Sequence, residues 1–98
     1  MSYQIIWSPT ARVTYFQILD YISFHWSSQE VVNFIERTDE VLVYIKKNPQ
    51  QYSSSKMRNE IHRFVVTKQV SLYYQVNEKS VELFIFWNNR QDPSKLNL

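Results

Sequence analysis

The chain has 98 residues, a formal net charge of +2 and 44% hydrophobic residues, which is the size and composition of one globular domain over residues 1–98. It contains no glycine, so the glycine-dependent P-loop, dinucleotide-binding turn and nucleophile elbow are all excluded. It also contains no cysteine and two histidines, which excludes disulfides and thiolate chemistry and gives no histidine-rich metal site.

The first elements along the chain are a strand and a helix. Residues Tyr3–Trp7 form a β-branched and aromatic run that predicts a strand. Ser8 and Pro9 follow as N-cap and first residue of a helix, where the missing proline N–H costs nothing. The apolar residues expected on one face of this helix are Ala11, Tyr15, Ile18, Leu19, Ile22 and Trp26.

A second helix follows almost without a linker. Ser27 stands three residues before Glu30, the spacing of a capping box, and Asn48 with Pro49 ends the segment. The apolar face predicted for this helix comprises Val31, Ile35, Thr38, Leu42 and Ile45. The two segments therefore predict a helical hairpin.

The period of the pattern changes from 3.6 to 2 in the second half of the chain. Ile61–Thr67, Val70–Val76 and Val81–Trp87 are rich in β-branched and aromatic residues and are separated by short polar connections. They predict a three-stranded antiparallel meander. The order β-α-α-β-β-β indicates an α+β fold with the helices packed on one face of a small antiparallel sheet.

The last strand is apolar on both predicted faces. Alternation places Val81, Leu83, Ile85 and Trp87 on one face, and Phe84 and Phe86 on the other, beside Tyr73 of the neighbouring strand. Because a helical hairpin covers one face of a sheet, the other face needs a second cover. Either the C-terminal tail, residues 92–98, or a partner protein can supply it.

The candidate functional residues are basic. Residues 51–98 hold seven basic and four acidic side chains, a balance of +3, so a polyanion is expected to meet this half. Lys56, Arg58 and Arg63 are candidate phosphate ligands, and Arg90 follows the last strand in a polar turn. His62 could transfer protons near neutral pH. The alternatives are solvated surface charges and a structural histidine.

Several segments together resemble the RelE/ParE toxin superfamily, which includes the plasmid stabilisation proteins. The matching residues are Trp7-Ser8-Pro9-x-Ala11, Asp20-Tyr21-Ile22, Pro49, Leu72-Tyr73-Tyr74-Gln75-Val76 and Phe86-Trp87-Asn88-Asn89-Arg90-Gln91-Asp92-Pro93. The resemblance implies the toxin of a type II toxin–antitoxin system, which arrests bacterial growth and is neutralised by a cognate antitoxin. It implies either a DNA gyrase inhibitor or a ribosome-dependent mRNA endonuclease, and a catalytically inactive member that binds only its antitoxin is a further alternative.

The resemblance to the nuclease branch is incomplete. Arg90 matches the arginine after the last strand and His62 matches a basic strand position, but Phe64 and Ser71 stand where such nucleases carry lysine and arginine. If cleavage occurs, the resemblance implies attack of a 2′-OH on its own phosphate without a metal or other cofactor. Arg90 and Arg63 would then stabilise the phosphate charge, and His62 would transfer the proton.

The remaining expectations concern partners and location. Lys56 and Arg58 are the expected nucleic-acid contacts, and Tyr73, Phe84 and Phe86 are the expected antitoxin contacts. Partners other than the antitoxin would be the ribosome with mRNA, or DNA gyrase. The N-terminal nine residues lack the cationic and apolar stretches of a signal peptide, and the apolar runs are short, so we expect a cytoplasmic protein without a membrane segment.

Overall fold

The structure is a computed structural model, which describes residues 3–51, 61–91 and 93–96. Strand β1 spans Gln4–Trp7 and helix α1 spans Pro9–His25, close to the predicted bounds. The Ser8 hydroxyl accepts the Ala11 N–H at 3.0 Å and donates to the Phe84 carbonyl at 3.0 Å. The predicted cap therefore starts α1 and also fastens its first turn to the sheet.

Helix α2 spans Ser28–Lys47, and the Ser27 hydroxyl accepts the Glu30 N–H at 3.2 Å, as the capping pattern predicts. The buried face is turned partly away from the predicted one: the predicted Thr38 and Ile45 are buried together with Phe34 and Val41, whereas Val31, Ile35 and Leu42 are partly exposed. The face turns toward Phe34 because that ring packs on Tyr15 of α1, with centroids 5.9 Å apart. No helix in the described ranges has the length and apolar character needed to cross a membrane.

The sheet has four strands in the order β1-β4-β3-β2. β2 (Ile61–Thr67), β3 (Val70–Val76) and β4 (Ser80–Asn88) form the predicted antiparallel meander. β1 joins β4 in parallel, from Gln4 opposite Ser80 to Trp7 opposite Leu83. The predicted α+β fold and its antiparallel meander are confirmed, and the parallel pairing of β1 with β4 makes the sheet mixed.

A register shift in β4 changes which side chains face the helices. Tyr73 pairs with Ile85 and Tyr74 with Leu83, so Phe84 is an extra residue in the ladder. The alternation reverses beyond it: Phe86 joins Leu83 in the core beneath the helices, and Ile85 and Trp87 lie in the cluster on the other face. The predicted placement of Phe86 on the helix-free face is wrong for this reason.

The helix-free face of the sheet is covered in part by the chain itself. A short 3-10 turn, Pro93–Lys95, leads to Leu96, which is buried in a cluster with Ile61 and Tyr73. Phe84, Ile85 and Trp87 pack around this cluster. The alternative in which the C-terminal tail folds over this face is confirmed for Leu96.

Candidate functional site

A chain of polar side chains links three parts of the sheet at the end where β4 finishes. The Nε of Arg63, on β2, donates to the Ser71 hydroxyl of β3 at 3.0 Å, and this hydroxyl donates to the Asn89 Oδ1 at 2.8 Å. The backbone N–H of Asn89 donates in turn to the Gln69 carbonyl at 2.7 Å. Ser71 is fully buried. Arg63 is thus positioned by a partly buried polar network, although Arg63 itself is exposed.

Arg90 adjoins this network through its neighbour Asn89. Its backbone N–H donates to the Asn88 Oδ1 at 2.9 Å, which holds the turn after β4. The residue is exposed, and its guanidinium group makes no hydrogen bond with the described residues. The structure therefore brings the backbone of Arg90 to the network that positions Arg63, and it leaves the Arg90 fork available to an anionic partner.

His62 lies on the opposite face of the sheet. Its ring stacks on Tyr74, with centroids 5.3 Å apart and an interplanar angle of 17°. Tyr74 is fully buried, and its hydroxyl donates to the Pro49 carbonyl at 2.7 Å. Neighbouring strand residues point to opposite faces, so the structure separates the His62 imidazole from the Arg63 guanidinium. The three residues predicted as a catalytic set do not converge.

The other predicted nuclease positions add little to the site. Phe64 lies on the helix-facing side, where the Arg37 guanidinium stands 6.0 Å from its ring centre. Lys56 and Arg58, the predicted nucleic-acid contacts, lie outside the described residues. In the described ranges, no cluster of three or more histidine, aspartate or glutamate side chains could hold a metal ion.

The residues predicted to bind an antitoxin differ in accessibility. Phe86 is 2% exposed and stacks on Trp7, with centroids 5.5 Å apart, so it is a core residue and cannot be reached in the folded chain. Tyr73 is buried in the cluster with Leu96, and Phe84 is partly buried beside it. Contact with Tyr73 therefore requires movement of residues 93–96.

Sequence reasoning missed an open groove of about 740 Å³ between the helical hairpin and the end of the sheet. One wall is apolar and includes Tyr21, Trp26 and Phe34, whereas the other carries Lys68 and Gln69 of the β2–β3 turn. Arg37 lines the groove and joins its walls. Its Nε donates to the Val66 carbonyl at 2.8 Å. The signal in the sequence is Trp26, which the pattern predicts on the apolar face of the first helix and which is 63% exposed.

Comparison with solved structures identifies the fold. The chromosomal ParDE TA system from P. aeruginosa matches with a TM-score of 0.76 at 10% identity, covering 89% of this chain and 96% of that chain. The YoeB/ParE toxin from Agrobacterium tumefaciens matches with a TM-score of 0.62 at 11% identity, covering 88% and 98%. This chain has the RelE/ParE toxin fold. The YoeB dimer from Staphylococcus aureus has a TM-score of 0.58 at 15% identity and covers 87% and 94%.

Comparison with family models and with curated proteins finds no match. The RelE/ParE fold predicted from the sequence motifs is confirmed, and the structure shows why those motifs predicted it. Ser8 caps α1, Ala11 is fully buried under it, and Trp7 packs on Phe86. The resembling residues thus maintain the RelE/ParE fold, and a shared fold does not by itself specify the target.

Proposed function

We propose that this protein is the toxin of a type II toxin–antitoxin module and arrests bacterial growth by binding a protein target, as ParE-like inhibitors of DNA gyrase do. The RelE/ParE fold supports the toxin assignment. The observation that supports a binding mechanism over RNA cleavage is the separation of His62 from Arg63 by the two faces of the sheet. The protein would act in the cytoplasm, where gyrase is found.

The separation matters because RNA cleavage by a 2′-OH needs convergent groups. A general base must lie within about 2.6–3.2 Å of the proton it removes, and the charge stabilisers must surround the same phosphate. The His62 ring is held against Tyr74 on the helix-facing side, whereas Arg63 joins the network of Ser71 and Asn89. A phosphate bound at Arg63 would therefore lie across the sheet from the imidazole.

An mRNA endonuclease is the second candidate function, and the position of Arg63 and Arg90 supports it. Arg63 is fixed by its bond to Ser71, and Arg90 follows Asn89, the next member of that network, so two arginine residues adjoin one polar network at this end of the sheet. Lys56 and Arg58 would extend the contact with nucleic acid. In this version Arg63 and Arg90 stabilise the phosphate charge.

We further infer that a cognate antitoxin neutralises the protein. Phe84 and Tyr73 remain the proposed antitoxin contacts on the helix-free face, but they become available together only when the antitoxin displaces residues 93–96. Leu96 is 3% exposed in that cluster, so an apolar antitoxin side chain would have to replace it. Phe86 lies in the core beneath the helices, so it is not among the proposed antitoxin contacts.

The mechanism is tested by induced expression of the full chain, followed by separate assays of plasmid supercoiling by gyrase and of mRNA integrity. We expect growth arrest, loss of supercoiling and intact mRNA, and we expect co-expression of the small protein encoded next to the toxin to restore growth. His62→Gln should remain toxic. Lys47→Gln, at an exposed position of α2, is the matched control for expression level.

Each other outcome points to a different mechanism. Cleaved mRNA with unaffected supercoiling would replace the binding mechanism with the endonuclease, and loss of toxicity in His62→Gln would return that histidine to the site. Normal growth at a verified soluble level would indicate the inactive family member that binds only an antitoxin.

A further inference from the structure

Helix α1 has an apolar outer face that nothing in the described chain covers. Val13 is 55% exposed, Phe16 57% and Phe24 85%, although soluble helices ordinarily present polar side chains to water. At 100° per residue these three side chains fall within a sector of about 80°, opposite the face that packs on the sheet through Ala11 and Tyr15. The exposed apolar residues therefore form a stripe along one side of the helix, in which Asp20 stands between Phe16 and Phe24.

Charges of opposite sign stand on either side of the centre of this stripe. Arg12 lies four residues before Phe16 and Asp20 lies four residues after it, so the three form one ridge of the i, i+4 kind on the helix surface. Both charged residues are exposed, and neither makes an ion pair within the described residues. They are about 12 Å apart along the helix, at 1.5 Å per residue, which is too far for them to pair with each other.

The geometry points to a second copy of this chain as the occupant of the stripe. A two-fold axis beside Phe16, in the groove next to this ridge, places residue 16+k of one helix beside residue 16−k of the other, so Arg12 of each copy meets Asp20 of the other. Two i, i+4 ridges running in opposite directions interdigitate in the commonest class of helix crossing, near −50°. The ridge is thus complementary to itself in both shape and charge.

A shallow hollow beside the ridge favours the same arrangement. Trp7, Arg12, Tyr15 and Phe16 line an open depression of about 260 Å³. In the two-fold arrangement the Phe16 ring of the second copy lies against this depression and on its Phe16 counterpart. Aromatic pairs of this kind contribute about 0.5–1.5 kcal/mol beyond their buried area. The sheet and its polar network take no part in the contact, so the dimer leaves Arg63 and Arg90 accessible.

The test is a charge reversal read by sedimentation velocity and light scattering on the purified full chain over a range of concentrations. We expect wild type to pass from monomer to dimer as concentration rises. Arg12→Asp and Asp20→Arg should each weaken the dimer about tenfold or more, since each replaces two attractive contacts with two repulsive ones. The double variant Arg12→Asp/Asp20→Arg should restore it. Glu36→Arg, an exposed reversal on α2, is the control.

Several results would overturn the proposal. These are a monomeric mass at every concentration, a dimer indifferent to either single reversal, and a double reversal that fails to recover the dimer. Phe16→Ser provides a second reading, because it removes the central ring from an exposed position and should leave the circular dichroism spectrum unchanged. If Phe16→Ser lowers affinity for the antitoxin while wild type is monomeric, the stripe belongs to that partner instead.

Discussion

The hydroxyl of Thr14 accepts the backbone N–H of Phe86 at 3.0 Å, so that helix α1 completes a strand edge that has no neighbouring strand. β1 ends at Trp7 opposite Leu83, whereas β4 continues to Asn88. The same hydroxyl donates to the Thr10 carbonyl at 2.7 Å. The Ser8 hydroxyl donates to the Phe84 carbonyl on the same strand edge at 3.0 Å. Two side chains of the first helical turns therefore satisfy backbone groups that a longer β1 would have bonded.

We predict that Thr14→Val lowers the free energy of unfolding by about 1–3 kcal/mol, because the Phe86 N–H is left without an acceptor in a partly buried place. Urea denaturation followed by circular dichroism measures the change. Thr10→Val is the matched control, since the Thr10 side chain is exposed on the same helix. If Thr10→Val and Thr14→Val lower the free energy of unfolding equally, the loss comes from the helix propensity of valine and not from the Phe86 N–H.

Arg37 should stabilise the contact between α2 and the edge strand. Val66 lies where the register of β2 with β3 shifts, and its carbonyl accepts the Arg37 Nε at 2.8 Å. Arg37→Met keeps much of the side-chain volume but leaves this carbonyl unpaired, with an expected loss of about 1.5–3 kcal/mol in urea denaturation. Glu40→Gln removes only the exposed ion pair at 2.7 Å and should change stability by less than about 1 kcal/mol.

The helices and strands could be predicted from the sequence because their signals are local. Ser8 and Ser27 cap the helices, and the change of period marks the start of the meander. The extra residue Phe84 could not be predicted, since β4 is apolar on both faces and a shift of one residue leaves the pattern unchanged. The predicted position of Phe86 on the helix-free face was wrong because the prediction lacked this extra residue. The groove could not be predicted from local sequence patterns, because its walls come from elements far apart in the chain.

The corrected face of α2 leads to a prediction about core packing. Ile45 is fully buried, whereas Leu42 is partly buried at the edge of the same cluster. Ile45→Ala should cost about 2–5 kcal/mol, and Leu42→Ala should cost clearly less, because its site is open to water on one side. Thermal and urea unfolding of the two variants measure the difference. A larger loss for Leu42→Ala would contradict the partly exposed position of Leu42 at the edge of the cluster.

Tyr15 should make the fold sensitive to alkali. Burial raises the pKa of Tyr15 above its usual value of 10.0, and the Asp39 carboxylate raises it further, while a hydrogen bond with Thr38 lowers it. Because the phenol holds its proton more tightly in the folded chain, its contribution is fully present below pH 10 and is lost as the pH rises through the raised pKa.

The measurement compares the free energy of unfolding at pH 8 with that above about pH 10.5, in wild type and in Tyr15→Phe. Because it has no phenol to ionise, Tyr15→Phe should decline less steeply with pH than wild type. Tyr44→Phe removes an exposed phenol and serves as the control. Parallel pH profiles for Tyr15→Phe and wild type would contradict the assignment.

Arg90 is the residue on which we expect toxicity to depend most. Its guanidinium is exposed and forms no hydrogen bond with the described residues, while its backbone is held by Asn88 in the turn after β4. Arg90→Lys keeps the charge but removes the bidentate fork that suits a carboxylate of a protein target or a phosphate of RNA. We expect reduced growth arrest in Arg90→Lys and a stronger reduction in Arg90→Ala.

The comparison with Arg63 makes the prediction specific. Arg63→Gln breaks the bond to Ser71 and should lower both toxicity and thermal stability, whereas Arg90→Ala should lower toxicity at an unchanged melting temperature. Lys95→Ala, another exposed cation nearby in the sequence, controls for net charge and should remain toxic. Growth arrest is measured at matched soluble levels, together with the supercoiling and mRNA assays. Full toxicity of a folded Arg90→Ala would move the target-binding site away from this turn.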